Sequence, residues 1–203
     1  MSQFFSVHPT HPQQRLLVRA AEIIQNGGLA VIPTDTTYAL GCQLEDKQAL
    51  ERIRGIRRLD KNHLLTLMCR DLSEISVYAR VTDANYRIIK HFTPGPFTFL
   101  LPATREVPRR LIHPKRKTIG LRVPANPIAL QLLEALGAPV MSTTMRLPGD
   151  ELPLSDPQEF RDRLEQLVDV IIDGGVCGLV PTTVVDLTSD VPKVLREGLG
   201  EFH

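Results

Sequence analysis

Five polar groups in the chain have residue types and positions suited to holding a small anionic ligand. The longest is Pro33-Thr34-Asp35-Thr36-Thr37-Tyr38-Ala39-Leu40-Gly41, which follows the apolar run Leu29-Ala30-Val31-Ile32. Three threonine hydroxyls and a tyrosine in one elbow can bind a polar ligand through hydrogen bonds. The same residue types also satisfy the backbone of an ordinary turn. The second group is Thr118 with Arg122, four apart in Thr118-Ile119-Gly120-Leu121-Arg122-Val123 and so on one face of an extended segment. An arginine in an apolar strand has to be paired. Its planar fork matches a ligand carboxylate or phosphate, and equally a protein carboxylate such as Asp35. Ser142-Thr143-Thr144 places hydroxyls at a strand terminus, Thr182-Thr183 follows Pro181, and Arg196 precedes Glu197-Gly198. Each is a weak signal by itself.

What the sequence lacks narrows the chemistry. It has no Gly-x-Gly-x-x-Gly, no phosphate loop ending in Gly-Lys-Ser/Thr, no Gly-x-Ser-x-Gly elbow and no His-Glu-x-x-His helix. Cys42, Cys69 and Cys177 are odd in number and far apart, which fits neither a disulfide framework nor a zinc site. They are expected to be small core residues of a protein in a reducing cytosol. His8 and His11 lie in a proline-stiffened stretch with no cysteine or carboxylate cluster nearby, so no protein-bound metal is predicted. Asp169 and Asp173 flank Val170-Ile171-Ile172 and are expected to cap or edge that strand.

The elements that must position these groups follow from periodicity. Leu16, Leu17, Ala20, Ile23 and Ile24 recur at helical spacing between Pro12 and Asn26, with Gly27-Gly28 as the stop. Leu29 to Pro33 reads as a buried strand, and Asp46 caps a helix carrying Leu50 and Ile53. Further strands are expected over 64–69, 97–101, 118–123, 140–144, 168–172, 183–187 and 194–196. Helices are expected over 71–78, 83–91 and 126–136, with a long last helix starting at Ser155-Asp156-Pro157 and a flexible loop from Arg146 to Asp156. Strands and helices alternate without repeats, which predicts one α/β domain with a mixed sheet.

Composition sets the outer bounds. The chain has 203 residues, 42% hydrophobic and 23% charged, with 13 glycines and 16 prolines, an ordinary globular makeup. Its net charge of +1 exerts no global pull on nucleic acid. Two local basic runs remain: Arg52, Arg54, Arg57, Arg58 and Lys61, and Arg109, Arg110, Lys115, Arg116 and Lys117. Either is a nucleic-acid contact or a solvated face. No apolar stretch is long enough to span a membrane, and the N-terminus lacks a signal-peptide pattern, so a cytoplasmic location is expected.

Taken together, the blocks resemble the YrdC/YciO family. The elbow from Pro33 to Gly41 is similar to the family's Pro-Thr-Asp/Glu-Thr-x-Tyr-Gly-Leu-Gly motif, with Ala39 in place of its first glycine. The same order continues through a basic cluster, Thr93-Pro94-Gly95-Pro96-Phe97-Thr98, Thr118-Ile119-Gly120-Leu121-Arg122-Val123-Pro124, Ser142, Thr182-Thr183-Val184-Val185-Asp186 and Leu195-Arg196-Glu197-Gly198. Thr66-Leu67-Met68-Cys69-Arg70-Asp71-Leu72 and Lys117-Thr118-Ile119-Gly120 are most similar to the YciO branch.

The resemblance implies a single YrdC-like domain over residues 1–203: a twisted, mixed, open α/β sheet with flanking helices and a concave ligand surface. The family's best-known members are L-threonylcarbamoyladenylate synthases. They join L-threonine, bicarbonate and ATP, with magnesium in the substrate complex, into threonylcarbamoyl-AMP and pyrophosphate for tRNA modification; double-stranded RNA binding is associated with the fold. By resemblance, Thr36 and Arg122 hold the threonine, Arg122 by its carboxylate. Thr118, Ser142, Thr144, Thr182 and Arg196 line the nucleotide side, and Arg57 and Arg58 neutralise phosphate charge. Two family motifs are altered. Lys-x-Arg reads Ile56-Arg57-Arg58-Leu59, so that no alignment recovers both basic residues, and Ser-x-Asn reads Ser142-Thr143-Thr144. The alternatives are an RNA- or nucleotide-binding module without turnover, and a hydrolase of a related acyl-adenylate.

Overall fold

The helices begin where the sequence supplies a side-chain acceptor, with one exception. The computed structural model describes residues 2–60 and 63–203. Helix α1 (Gln14–Gln25) starts without a side-chain cap. Asp46, Asp71, Thr82, Asn126 and Asp156 each accept a backbone N–H and cap α2 (Lys47–Arg57), α3 (Leu72–Tyr78), α4 (Asp83–Phe92), α5 (Pro127–Leu136) and α6 (Pro157–Leu164). Gly137 ends α5 in the left-handed conformation that glycine adopts without a Cβ penalty. Helix α6 is eight residues long, so the long last helix expected from the sequence is short.

The strands are β1 (Gln3–Ser6), β2 (Ala30–Ile32), β3 (Ala39–Gln43), β4 (Thr66–Met68), β5 (Phe97–Pro102), β6 (Thr118–Arg122), β7 (Val140–Thr144), β8 (Val170–Asp173), β9 (Thr183–Asp186) and β10 (Lys193–Arg196). Among the described residues they form one 10-stranded mixed sheet in the order β1-β8-β2-β3-β7-β4-β6-β5-β9-β10. Strand β1 pairs parallel to β8, and β3 pairs antiparallel to β2 and β7. Neither β1 nor β3 is evident from the sequence. Strand β1 is a short edge, and β3 carries Ala39, Gly41 and Cys42 rather than branched residues. The glycine is needed there, because a Cβ on Gly41 would lie 2.5 Å from Cγ1 of Val140.

Side-chain alternation sorts the sheet into two faces. One face carries Val31, Leu40, Leu67, Phe99, Leu121 and Ile171 against α2, α3, α4 and α6. On the other face, Ala30, Ile32, Ala39, Val140 and Val170 pack against Leu17, Ala20 and Ile24 of α1 and Ile128, Leu132 and Leu133 of α5. These two helices pack against only part of their face. Over β7, β4, β6, β5 and β9 the same side presents Ser142, Thr66, Gly120, Arg122, Thr98 and Val184, which form a cavity floor. The architecture is an open α/β sheet with six helices, as the sequence predicts.

Gly55 has neither a packing contact nor a left-handed φ to require it. Gly55 lies inside α2, and a Cβ there would meet nothing within 4 Å. Replacing it with alanine removes backbone freedom from the unfolded chain, so Gly55→Ala should stabilise the protein by about 0.5–1 kcal/mol in a denaturant titration. A loss of stability would show that this helix end is strained in a way the packing does not reveal.

Candidate active site

The elbow after β2 is tied together by its own threonines. The Thr34 hydroxyl donates to the Thr37 carbonyl at 2.6 Å and accepts the N–H groups of Thr36 and Thr37 at 3.2 and 3.3 Å. This is the turn chemistry that such residue types also allow, and it turns Asp35 and Thr36 toward β6. There Nη2 of Arg122 is ion-paired with Asp35 Oδ1, and Nη1 donates to Thr36 Oγ1 at 3.3 Å. The pair is buried, with side-chain exposures of 8% for Arg122 and 9% for Asp35. Of the two partners the sequence allows for Arg122, the protein carboxylate is therefore present. The pair is still incompletely satisfied: Nε of Arg122 and Oδ2 of Asp35 are buried with no hydrogen-bond partner among the described residues.

The floor described above belongs to a cavity of about 520 Å³. Gly120 keeps it open at its centre. A Cβ there would lie 3.3 Å from Thr98 Cγ2 and 3.4 Å from Thr66 Oγ1. Gly120→Val should therefore fill the cavity while leaving the strand paired. We expect at least tenfold weaker ATP binding by calorimetry, with a stability change of about 1–3 kcal/mol from overpacking. Unchanged affinity would place the nucleotide elsewhere.

On the β5–β9 side, the Thr98 and Thr182 hydroxyls are 2.8 Å apart, and Arg196 Nη2 donates to the Thr182 carbonyl at 2.8 Å and to its hydroxyl at 3.2 Å. On the β7 side, the Ser142 hydroxyl donates to the Thr66 carbonyl at 3.1 Å. Arg57, at the end of α2, reaches across and donates to the carbonyl of Arg146, the second residue after β7. Burial pulls the pKa of Arg57, Arg122 and Arg196 down; for Arg57 the nearby charge of Arg146 adds to the effect, and for Arg122 the Asp35 carboxylate opposes it. Desolvated guanidinium groups of this kind favour an anion.

Six residues predicted from the sequence line this cavity: Arg57, Arg122, Ser142, Thr144, Thr182 and Arg196. Three do not. Thr36 stands behind Arg122 as its hydrogen-bond acceptor. Thr118 is buried at the start of β6, where its carbonyl accepts the His113 N–H at 2.9 Å. Arg58 is exposed, caps α2 in the left-handed conformation with φ of 49°, and is not part of the lining. The sequence reading missed Thr66, Thr98, His63 and Arg146, all in the lining. Alternation along β4 and β5 contains the signal for the two threonines. Arg146 gives none, because its place depends on where β7 ends.

The basic runs are dispersed. Arg52 pairs with Asp169 at 2.8 Å and Arg54 with Glu51 at 2.8 Å, while Lys61 lies outside the described residues. Arg54, Arg109 and Arg110 meet at a smaller crevice of about 240 Å³ beside His63. Asp169 also accepts the Leu29 N–H at 2.7 Å and Asp173 the Gly175 N–H at 2.9 Å, so both edge their strand as expected. Cys42 and Cys69 are buried in the core, but Cys177 is only half-buried, on the loop after β8. Burial raises all three thiols, Cys42 to about 12 and Cys177 to about 11, so none offers a thiolate near neutral pH. Among the described residues, no group of three or more His, Cys, Asp or Glu is placed to hold a metal ion, and no helix is long and apolar enough to cross a membrane.

Residues 22–198 match the Sua5/YciO/YrdC family model, described as telomere recombination. The chain belongs to this family. It is 59% identical over 201 residues to the uncharacterized protein YciO of Escherichia coli strain K12, covering 99% of this chain and 98% of that one. The crystal structure of E. coli YciO superposes with a TM-score of 0.94, again over 99% and 98% of the two chains. At greater distance, the threonylcarbamoyl-AMP synthase of Pyrococcus abyssi is 33% identical over 181 residues, which is 88% of this chain and 53% of the synthase. This chain thus spans about half the length of that enzyme. The structure of P. abyssi Sua5 complexed with L-threonine has a TM-score of 0.89 at 28% identity, covering 97% of this chain and 58% of that one.

Proposed function

We propose that the protein is a nucleotidyltransferase of the threonylcarbamoyl-AMP synthase type, acting on L-threonine, bicarbonate and magnesium-bound ATP to serve tRNA modification. The observation that carries this reading is the cavity itself: a hydroxyl-lined sheet face on which Arg57, Arg122, Arg146 and Arg196 converge. Arg122 lines the cavity, and its guanidinium fork suits the carboxylate of an amino-acid ligand. The threonine-bound relative and the synthases among the relatives support the same assignment.

The chemistry needs no protein nucleophile. The threonine amine and bicarbonate give a carbamate and water. A carbamate oxygen then attacks the α-phosphorus of ATP, and the bond to the β-phosphate oxygen breaks to release pyrophosphate. Two anions have to be brought together in line, so the protein's part is positioning and charge neutralisation. Arg122, fixed by Asp35 and Thr36, orients the threonine carboxylate. Ser142, Thr144 and Thr182 line the nucleotide, and Arg196, anchored on Thr182, faces it. Thr118 acts from beneath the floor, holding the β6 end in place. Arg57 meets the departing phosphates, and Arg58, outside the cavity, contributes through its charge.

The test is release of pyrophosphate from ATP, assayed with each substrate omitted in turn. Release that requires threonine and bicarbonate together supports the synthase reading. Salt-sensitive RNA or ATP binding without release would favour a binding module of the same fold. AMP formed only from supplied threonylcarbamoyl-AMP would favour a hydrolase.

A further inference from the structure

Members of the two basic runs, distant in sequence, meet at one place outside the cavity. Arg54 of α2, with Arg109 and Arg110 of the short 3₁₀ turn Arg109–Leu111, lines a crevice of about 240 Å³. None of the three arginines belongs to the lining of the larger cavity. The two spaces share one wall, the segment His63-Leu64-Leu65. The crevice is smaller than the pockets that hold drug-sized ligands, so it suits a compact group.

Two of the guanidinium groups are held in place with donors to spare. Arg110 Nη2 donates to the Glu45 carbonyl at 2.7 Å and to the Leu44 carbonyl at 3.4 Å, which fixes the side chain against the turn before α2 and leaves its charge uncompensated. Arg54 Nη1 donates to Glu51 Oε1 at 2.8 Å. The Arg54 side chain is only 15% exposed, and its Nε is buried with no hydrogen-bond partner among the described residues. A buried donor on a charged group carries a desolvation cost that a bound anion removes. Arg109 is exposed and makes no ion pair among the described residues.

The charges set the class of anion. The described lining contains no carboxylate, and Glu51, outside it, offsets one of the three guanidinium groups. Two positive charges remain over an apolar floor that includes Leu65, Leu111 and Ile112. The wall feels the same field: partial desolvation, Arg57 and Arg54 lower the pKa of His63, with Asp60 acting in the opposite sense. A phosphate monoester carries a charge of about −1.5 to −2 at neutral pH, and its oxygens match guanidinium forks. A phosphodiester carries a single charge and brings a second substituent into a small space.

We propose that this crevice is a second anion site, separate from the cavity, that binds a small phosphate monoester through Arg54, Arg109 and Arg110. Calorimetric titration of methyl phosphate, dimethyl phosphate and an oligoribonucleotide without terminal phosphate tests it. The proteins are wild type, Arg54→Gln, Arg54→Lys, Arg109→Ala and Gly120→Val, the last altering only the larger cavity. The expected result is one methyl phosphate per chain, bound roughly tenfold more weakly by Arg54→Gln and by Arg109→Ala, with partial recovery in Arg54→Lys. Gly120→Val should bind it like wild type, and dimethyl phosphate should bind wild type roughly tenfold more weakly than the monoester does. Weakening in Gly120→Val but not in Arg54→Gln would put the anion in the larger cavity. Equal affinity for the diester, or oligoribonucleotide binding that Arg54→Gln and Arg109→Ala weaken, would make the crevice part of a nucleic-acid face. Either outcome overturns the proposal, as does wild type that binds no methyl phosphate. None of these outcomes bears on pyrophosphate release, so the synthase reading stands or falls separately.

Discussion

Arg122→Ala should melt well below wild type and lose threonine affinity, two effects with separate causes. Removing the guanidinium strands Asp35 as a buried, uncompensated carboxylate, which costs about 3–5 kcal/mol. For a chain of this size that is a drop of roughly 6–20 °C in Tm. The second effect is loss of the group proposed to orient the substrate carboxylate, worth roughly 2–5 kcal/mol of binding when a desolvated charge pair is broken. The double substitution Asp35→Asn with Arg122→Ala separates them. It should recover part of the lost stability, because no buried charge is left unpaired, and recover none of the threonine affinity. Arg122→Lys should recover only part of the affinity, since an ammonium cannot make the forked contact. Calorimetry with threonine in the presence of an ATP analogue, at matched folded fraction, measures the second effect alone. Equal affinities in wild type and Arg122→Ala would reduce Arg122 to a structural ion pair.

Gly198→Ala is expected to damage the proposed nucleotide side of the cavity from a position outside it. A Cβ there would lie 2.4 Å from the Pro181 carbonyl oxygen and 2.5 Å from the carbonyl carbon and oxygen of Thr182. These are backbone atoms, so relief requires one of the two chains to move. One of them holds Thr182, and the other, two residues earlier, carries Arg196, which is anchored on it. The hydrogen bond from the Gly198 N–H to the Thr183 side-chain hydroxyl at 3.0 Å would shift as well. We expect a stability loss of about 1–3 kcal/mol from overpacking and at least tenfold weaker AMP binding. Gly55→Ala, with open space around its Cβ, is the control of opposite sign. A Gly198→Ala protein with wild-type AMP affinity would mean that Arg196 and Thr182 do not hold the nucleotide.

The parts of the fold that were legible in the sequence are those whose cause is local. Asp46, Thr82 and Asn126 cap their helices through residues two or three positions away, so type and spacing suffice. Strands β1 and β3 depend on distant partners: Phe4 pairs with Ile171, and Gly41 pairs with Ser142. Nothing in four or five residues announces that. The candidate site divides the same way. The threonine elbow and the Arg122 strand stand out as polar residues in apolar surroundings. Residue types alone leave open whether Arg122 meets Asp35, because both a protein and a ligand carboxylate suit a guanidinium; the Thr34 hydrogen bonds that turn Asp35 inward decide it. Arg58 joins Arg57 only through an alternative alignment of the family's basic motif. Arg58 leaves α2 as its left-handed cap and is exposed, and of the two only Arg57 lines the cavity. Arg146 comes to Arg57 across 89 positions through a backbone carbonyl, a contact that no local pattern encodes.

Under the proposed function, one cavity joins a threonine-derived carbamate to AMP. Incubating the protein with ATP, magnesium, L-threonine and carbon-13 bicarbonate, then analysing the quenched mixture by mass spectrometry, tests it most directly. The expected product is a threonylcarbamoyl adenylate that carries the label in its carbamoyl carbon, formed in step with pyrophosphate and abolished in Arg122→Ala. Wild-type protein that binds ATP and threonine but yields no labelled adenylate would contradict it.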